Sequence, residues 1–332
     1  VNEARGAASD LLGRALRPLE GALGAAWSLG EIAQAFLRPG DLRDDREREA
    51  VLADVERRGF YPTFDVDEVA LREEPGGWLH GTNPHRRLSG RGSDRVVAHL
   101  SRAARGEARQ LVVICHCYGV PAPRLMRALF GVDRSPDADV VTNIMAHHYP
   151  GSFRGWPGAG FTSARVSAFI ENLRTAVSGL RALTAALAAR HRYERISVFG
   201  FSLGGQLALH LANTGLVQRA LVYCPAVSMH ASATELGLMG ALHAPVRRLL
   251  ARTGSRFSFD DLRVTEPLSY PLALAPRDLH VVVQRHDALA PVRQVEAIRA
   301  RYPEVRWYEL GGTHLYPAGR ARLHAIARAV LA

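Results

Sequence analysis

Lysine is absent from this 332-residue chain, so all 42 of its basic side chains are arginine. Such a bias is the mark of GC-rich, arginine-favouring codon usage, and it weakens any reading of the +10 formal charge as a binding signal. The arginines are scattered among Asp and Glu, and no helix-turn-helix, zinc-finger or RNA-binding signature accompanies them. No nucleic-acid partner is expected. Cysteine is scarce: Cys115, Cys117 and Cys224 are the three. An odd, low number argues against a disulfide framework. Cys115-His116-Cys117 has the residue types of a metal site, but successive strand residues point to opposite faces and no second cluster has structural-zinc spacing. Neither a metal nor any other cofactor is expected. Aromatics are few at 7%, yet 47% of residues are hydrophobic, enough for a full core.

Long uninterrupted apolar runs are also missing. Residues 11–37 are apolar but broken by Arg14, Arg17, Glu20 and Glu31, which excludes a spanning helix. Such a stretch suits either peripheral contact with a membrane or packing on its own domain, and packing is the expectation. The chain does not open on a basic leader followed by a clean apolar run, so a cytoplasmic protein is expected.

What is present is a rhythm. Residues 1–60 read as a helical extension, with a break at Pro39-Gly40 and a helix over 44–58. Alternation predicts a strand over 64–71, residues 74–92 read as loop, and Ser93 is a plausible cap for a short helix through Val96 and Leu100. Buried-type strands follow at 111–115, 139–144, 196–199, 220–224, 279–283 and 305–310, with helices at 163–190, 203–211 and 318–331 between or after them. Strands alternating with helices imply an α/β domain over 61–332, its mostly parallel sheet covered on both faces and its working residues at the carboxyl ends of strands. The interval 227–276, before the penultimate strand, is long enough to be a lid. It contains a helix pattern near 235–250 with Leu236, Leu238, Met239 and Leu242 on it.

One segment carries chemistry. Gly200-Phe201-Ser202-Leu203-Gly204 joins a strand directly to a helix. So tight a turn needs small neighbours, strains the central residue and leaves a Ser at a helix N-terminus, where N–H groups and the dipole favour negative charge. A Ser hydroxyl needs a base, and His314 follows the last strand in Leu310-Gly311-Gly312-Thr313-His314. An imidazole base needs a carboxylate, and Asp287 follows the strand before it, in Asp287-Ala288-Leu289-Ala290-Pro291. Asp287 has alternatives: capping the next helix or pairing with Arg285.

The order Ser202, Asp287, His314 resembles that of the α/β-hydrolase superfamily, over about Gln110 to the C-terminus. Asp287 with Pro291 resembles its D-x-x-V-P acid loop, with Ala290 in place of Val, and Gly312-Thr313-His314 resembles its G-x-H ending. The resemblance implies an α/β-hydrolase fold with a Ser-His-Asp triad. It also implies an oxyanion hole made by the N–H of Leu203 and a donor from the loop His116-Cys117-Tyr118-Gly119, which is similar to the family's H-G-x-G. Tyr118 supplies that donor by alignment, and Cys117 is the alternative. His116, His147, His148 and Tyr149, just beyond strand ends, are candidate pocket residues. The implied activity is ester hydrolysis through an acyl-enzyme on a small-molecule substrate. Thioester hydrolysis and acyl transfer use the same residues, and a ligand receptor that has lost catalysis uses the same fold.

Overall fold

The computed structural model describes residues 10–23, 45–88, 95–104, 106–120, 131, 137–149, 157–161, 165–235, 248 and 258–331. Nine strands form one sheet: β1 (Arg72–Glu74), β2 (Trp78–Thr82), β3 (Arg95–Ser101), β4 (Gln110–Cys115), β5 (Ala138–Ile144), β6 (Arg195–Phe201), β7 (Arg219–Tyr223), β8 (Leu279–Gln284) and β9 (Arg306–Leu310). Their order across the sheet is β1-β2-β3-β5-β4-β6-β7-β8-β9. The first three strands join antiparallel, β3 onto β5, and the six from β5 to β9 run parallel.

The described helices are α1 (10–23), α2 (Asp45–Arg58), α3 (Val166–Arg190), α4 (Leu203–Ala212), α5 (Met229–Glu235), α6 (Val292–Arg301) and α7 (Arg320–Leu331). Among the described residues none is long and apolar enough to cross a membrane.

The strands' two-residue period sorts their apolar side chains into two cores. Leu111, Val113, Cys115, Val198, Val222, Val281 and Val283 face α2, α3, α4 and α6. Val112, Ile114, Phe199, Leu221, Tyr223 and Val282 face α7, with Leu323, Ile326 and Ala327 opposite them. Covering on both faces explains why β4, β5 and β6 read as continuous apolar runs rather than alternating ones.

The N-terminal helices are part of this packing. Val51 and Val55 of α2 are buried in the larger core. Asp54 of α2, 2% exposed, accepts a hydrogen bond of 3.0 Å from Arg174 of α3, and Arg57 and Arg58 close round it. These cations outweigh the opposing effect of burial and hold the Asp54 carboxyl far below its ordinary value.

The antiparallel edge departs from the expectation of a strand over 64–71, a loop over 74–92 and a helix after Ser93. Residues Asp67–Val69 form a single 3-10 turn, and β1, which ends where the expected loop begins, makes a hairpin with β2 inside that segment. Gly77 lets that hairpin lie close to β3: a Cβ there would stand 2.3 Å from the Leu100 carbonyl. Arg95–Ser101 is strand, not helix, because β2 and β5 bind it from both sides. Its Val-Val pair is also better suited to a pleated surface than to a helix. Ser93 itself lies outside the described residues.

Of the interval 227–276, the stretch with Leu236, Leu238, Met239 and Leu242 also lies outside them. The part from 258 onward packs on α4. Its 3-10 turns, Phe259–Thr265 and Pro267–Ser269, hydrogen-bond to α4 through the Thr265 carbonyl, which receives Gln206 Nε2 and His210 Nε2.

Candidate active site

Ser202 stands between β6 and α4 with φ 57° and ψ −120°, in the left-handed half of backbone space that L-residues seldom occupy. The turn closes only because its neighbours lack side chains. A Cβ on Gly200 would lie 2.1 Å from the Gly204 carbonyl oxygen, and one on Gly204 would lie 2.1 Å from that of Cys115. Backbone bonds fix the turn to β7: Ser202 N–H donates to the Tyr223 carbonyl at 3.0 Å, and Ala226 N–H donates to the Ser202 carbonyl at 3.1 Å. His147 and Cys224, beyond β5 and β7, also have positive φ, so backbone strain gathers at this edge of the sheet.

His314 Nε2 lies 2.8 Å from Ser202 Oγ, and His314 Nδ1 lies 2.7 Å from Asp287 Oδ2. Asp287 is an acceptor when ionised, so Nδ1 carries the proton and Nε2 receives the Ser202 hydroxyl. The other Asp287 oxygen accepts the N–H groups of Leu289 and Ala290 at 2.8 and 2.6 Å. Arg285, the alternative partner, binds Glu309 and Asp10 instead. Asp287 is not a cap of α6 either, because that helix begins after Pro291.

The His314 loop is stitched to the acid loop by main chain. Arg285 N–H donates to the Leu310 carbonyl and His286 N–H to that of Gly312. Gln284 Oε1 receives the Gly312 N–H at 2.6 Å. A Cβ on Gly312 would stand 2.4 Å from both Ala318 N and the Tyr316 carbonyl oxygen, so only glycine fits.

Burial alone would disfavour a charged imidazole at His314. The Asp287 charge and hydrogen bond, with a smaller contribution from Glu20, more than offset it and raise the pKa above the ordinary value. The group is thereby suited to accept a proton from the neighbouring hydroxyl. Cys224 is the third buried group here, its thiol within 4.8 Å of ligand-type atoms on Asp287 and His314. Burial, with the Asp287 charge behind it, pushes this thiol well up, so it stays protonated and makes a poor metal ligand. The His314–Asp287 separation is that of a direct hydrogen bond, with no room for an ion between them.

The loop after β4 lies against the Ser202 turn, as the close approach of Gly204 to the Cys115 and His116 carbonyls shows. Cys117 and Tyr118 are half-buried on that loop, and Leu203 is the first residue of α4. His116 is wholly buried. Its Nε2 accepts the Met145 N–H and its Nδ1 donates to the Cys117 carbonyl, so it braces the loops after β4 and β5 instead of facing an opening. Burial, aided by neighbouring His148, lowers its pKa to about 3. Burial pushes the Cys117 thiol up to about 12, which argues against both a metal site and a thiolate nucleophile here. His148 is buried beside His116, Tyr118 and Phe161, and its Nδ1 donates to the Ala146 carbonyl. His147 and Tyr149 flank it.

No family model matches the chain, and no curated protein matches it. Solved structures do. A putative hydrolase from Agrobacterium vitis S4 superposes with a TM-score of 0.52 at 16% identity, over 73% of this chain and 96% of that one. An acetyl xylan esterase from Paenibacillus sp. R4 gives 0.51 at 16% identity, over 87% and 94%. Est1E from Butyrivibrio proteoclasticus, with ferulic acid bound, gives 0.50 at 14% identity, over 71% and 92%. The chain has the α/β-hydrolase fold. In this fold the sequence motifs that follow β6, β8 and β9 meet at one edge of the sheet.

Two contributors to the site had no local sequence signal. Cys224 reads as the last residue of an ordinary buried strand. Glu20 reads only as a charge interrupting an apolar segment, yet its carboxylate accepts the N–H groups of Ala288 and Leu315, the residues after Asp287 and His314.

Proposed function

We propose that this α/β-hydrolase is a serine hydrolase that cleaves a carboxylic ester through an acyl-enzyme. The observation that carries the reading is the unbroken hydrogen-bonded chain from Ser202 through His314 to Asp287, at 2.8 and 2.7 Å. His314 takes the Ser202 proton as Oγ attacks the substrate carbonyl. The oxyanion is held by the Leu203 N–H at the start of α4 and by a second N–H from the loop after β4, that of Tyr118 or Cys117. His314 then passes its proton to the leaving alcohol. Water, deprotonated by the same imidazole, attacks the acyl carbonyl and releases the acid. Asp287 keeps the imidazole in the required tautomer throughout. His147, His148 and Tyr149, just beyond β5, shape the substrate pocket. Esterases among the structurally similar proteins, one with an aromatic acid bound, are consistent with a small-molecule ester substrate.

The test is covalent labelling by a fluorophosphonate, with turnover of a p-nitrophenyl ester measured in parallel. Wild type is expected to label and turn over, and Ser202→Ala to do neither while remaining folded. A folded wild type that resists the probe, or a Ser202→Ala variant that still reacts, would sink the reading.

A further inference from the structure

Helix α1 is inverted in character. Its exposed surface carries Leu11, Leu12, Leu19 and Leu23, while the surface it buries carries Gly13 and Glu20. The buried surface lies on the loops after β8 and β9. A Cβ on Gly13 would stand 2.5 Å from the Gly311 carbonyl oxygen, so the helix backbone rests directly on the His314 loop. Asp10 accepts from His286 Nε2 at 2.8 Å and from Arg285 Nη1 at 3.2 Å.

Glu20 reaches further in and is only 3% exposed. One of its oxygens accepts the Ala288 N–H at 2.9 Å and the other accepts the Leu315 N–H at 2.6 Å. A single carboxylate therefore grips the residue immediately after Asp287 and the residue immediately after His314.

We propose that Glu20 is a positioning residue of the hydrolytic site, a carboxylate from the N-terminal helix that clamps the acid loop and the histidine loop together so that His314 stays aligned between Asp287 and Ser202. The proposal rests on the reading of Ser202 as nucleophile and adds to it a part played by a segment about 180 residues earlier in the chain.

Two physical points separate this from simple loop capping. A surface loop could leave both N–H groups to water, whereas here a carboxylate is withdrawn from water to meet them, which costs free energy unless both bonds form. The charge also acts on the imidazole. The groups facing His314 among the described residues are Asp287, Ser202, the protonated Cys224 thiol and Glu20, so Glu20 is the second anion after Asp287.

The experiment compares wild type, Glu20→Gln and Glu20→Asp in the full chain. It measures kcat and KM on a p-nitrophenyl ester, the pH dependence of kcat/KM, and the melting temperature. Glu20→Gln presents an amide NH2 to one of the two N–H groups and removes the charge. Its kcat is expected to fall about 10- to 100-fold, the scale of a small misalignment, with KM little changed. The acid limb of its pH profile should move to lower pH, because a lost anion makes the imidazolium less stable. Glu20→Asp keeps the charge but is too short to reach both N–H groups. It should lower kcat and leave the limb in place, and it provides the reading if Glu20→Gln does not fold. Wild-type kcat in both variants, or a loss of activity that follows melting temperature alone with an unmoved limb in Glu20→Gln, would overturn the proposal. A wrong nucleophile gives a different pattern: wild type itself fails to label.

Discussion

Asp287 presents its two carboxylate oxygens to different partners: one takes the His314 Nδ1–H at 2.7 Å and the other takes the N–H groups of Leu289 and Ala290. The consequence is orientation. Asparagine at this position can place its carbonyl oxygen on the two N–H groups only by turning its NH2 toward the imidazole. That would force the wrong tautomer on His314 and leave Nε2 protonated against the Ser202 hydroxyl. Asp287→Asn is therefore expected to fold and to lose about 10⁴ in kcat, the loss typical of a misassigned tautomer. Steady-state kinetics beside a thermal melt checks this, and a loss of less than tenfold would show that Asp287 does not orient the base.

Activity and stability should respond to acid for different reasons. In the proposed mechanism His314 must be neutral to accept the Ser202 proton, and its pKa is raised above the ordinary value, so kcat/KM should fall as pH drops through a midpoint above 6.5. For stability, a histidine with a raised folded pKa favours the fold at low pH and loses that contribution as pH rises through its folded value. His116, His210 and His148 have the opposite sign: burial lowers them to about 3, about 3 and about 4. Each stabilises the fold above 6.5 and loses about 1.4 kcal/mol per pH unit below it. Three such groups outweigh one, so the melting temperature should fall steadily between pH 6.5 and 5. A melting temperature that holds constant across that range would contradict this assignment of neutral buried imidazoles.

Gly204→Ala tests the close packing of the Ser202 turn on β4. The added methyl would stand 2.1 Å from the Cys115 carbonyl oxygen, a backbone atom that cannot swing away. Destabilisation of about 3 kcal/mol is expected, with fluorophosphonate labelling lost even in the folded fraction. Normal labelling at normal stability would mean that the turn is looser than its geometry implies.

Asp54→Ala would take from Arg174, which is fully buried, its closer carboxylate at 3.0 Å and leave it Glu171 at 3.4 Å. Weakening a buried ion pair in this way should cost about 3 kcal/mol, measurable by urea unfolding, although Asp54 plays no part in the chemistry. By the same reasoning a chain lacking residues 1–60 should fail to fold, because Val51, Val55 and Asp54 go with it. A soluble, active deletion would make this segment an accessory after all.

Much of the α/β-hydrolase fold was legible in the chain because the parallel strands are buried on both faces and read as short apolar runs between helical stretches. The Ser202 turn, Asp287 and His314 were legible because each follows such a strand, with glycines or a proline marking the turn. The antiparallel edge was not. Arg95–Ser101 is strand only because β2 and β5 bind it on either side, and β1 with β2 form a hairpin in a stretch whose Gly and Pro content reads as loop.

The sequence by itself determined which residue types stand at the strand ends and in what order, since local turns and apolar periodicity are properties of neighbouring residues. The tertiary structure decided what depends on distant segments meeting. It buried Cys224 beside Asp287, turned His116 into a brace between two loops, and brought Glu20 onto Ala288 and Leu315. No local pattern can encode a hydrogen bond across 268 residues of chain, such as that from Ala288 to Glu20. Glu20 looked like a flaw in an apolar helix until the fold placed its carboxylate against the two loops that hold Asp287 and His314.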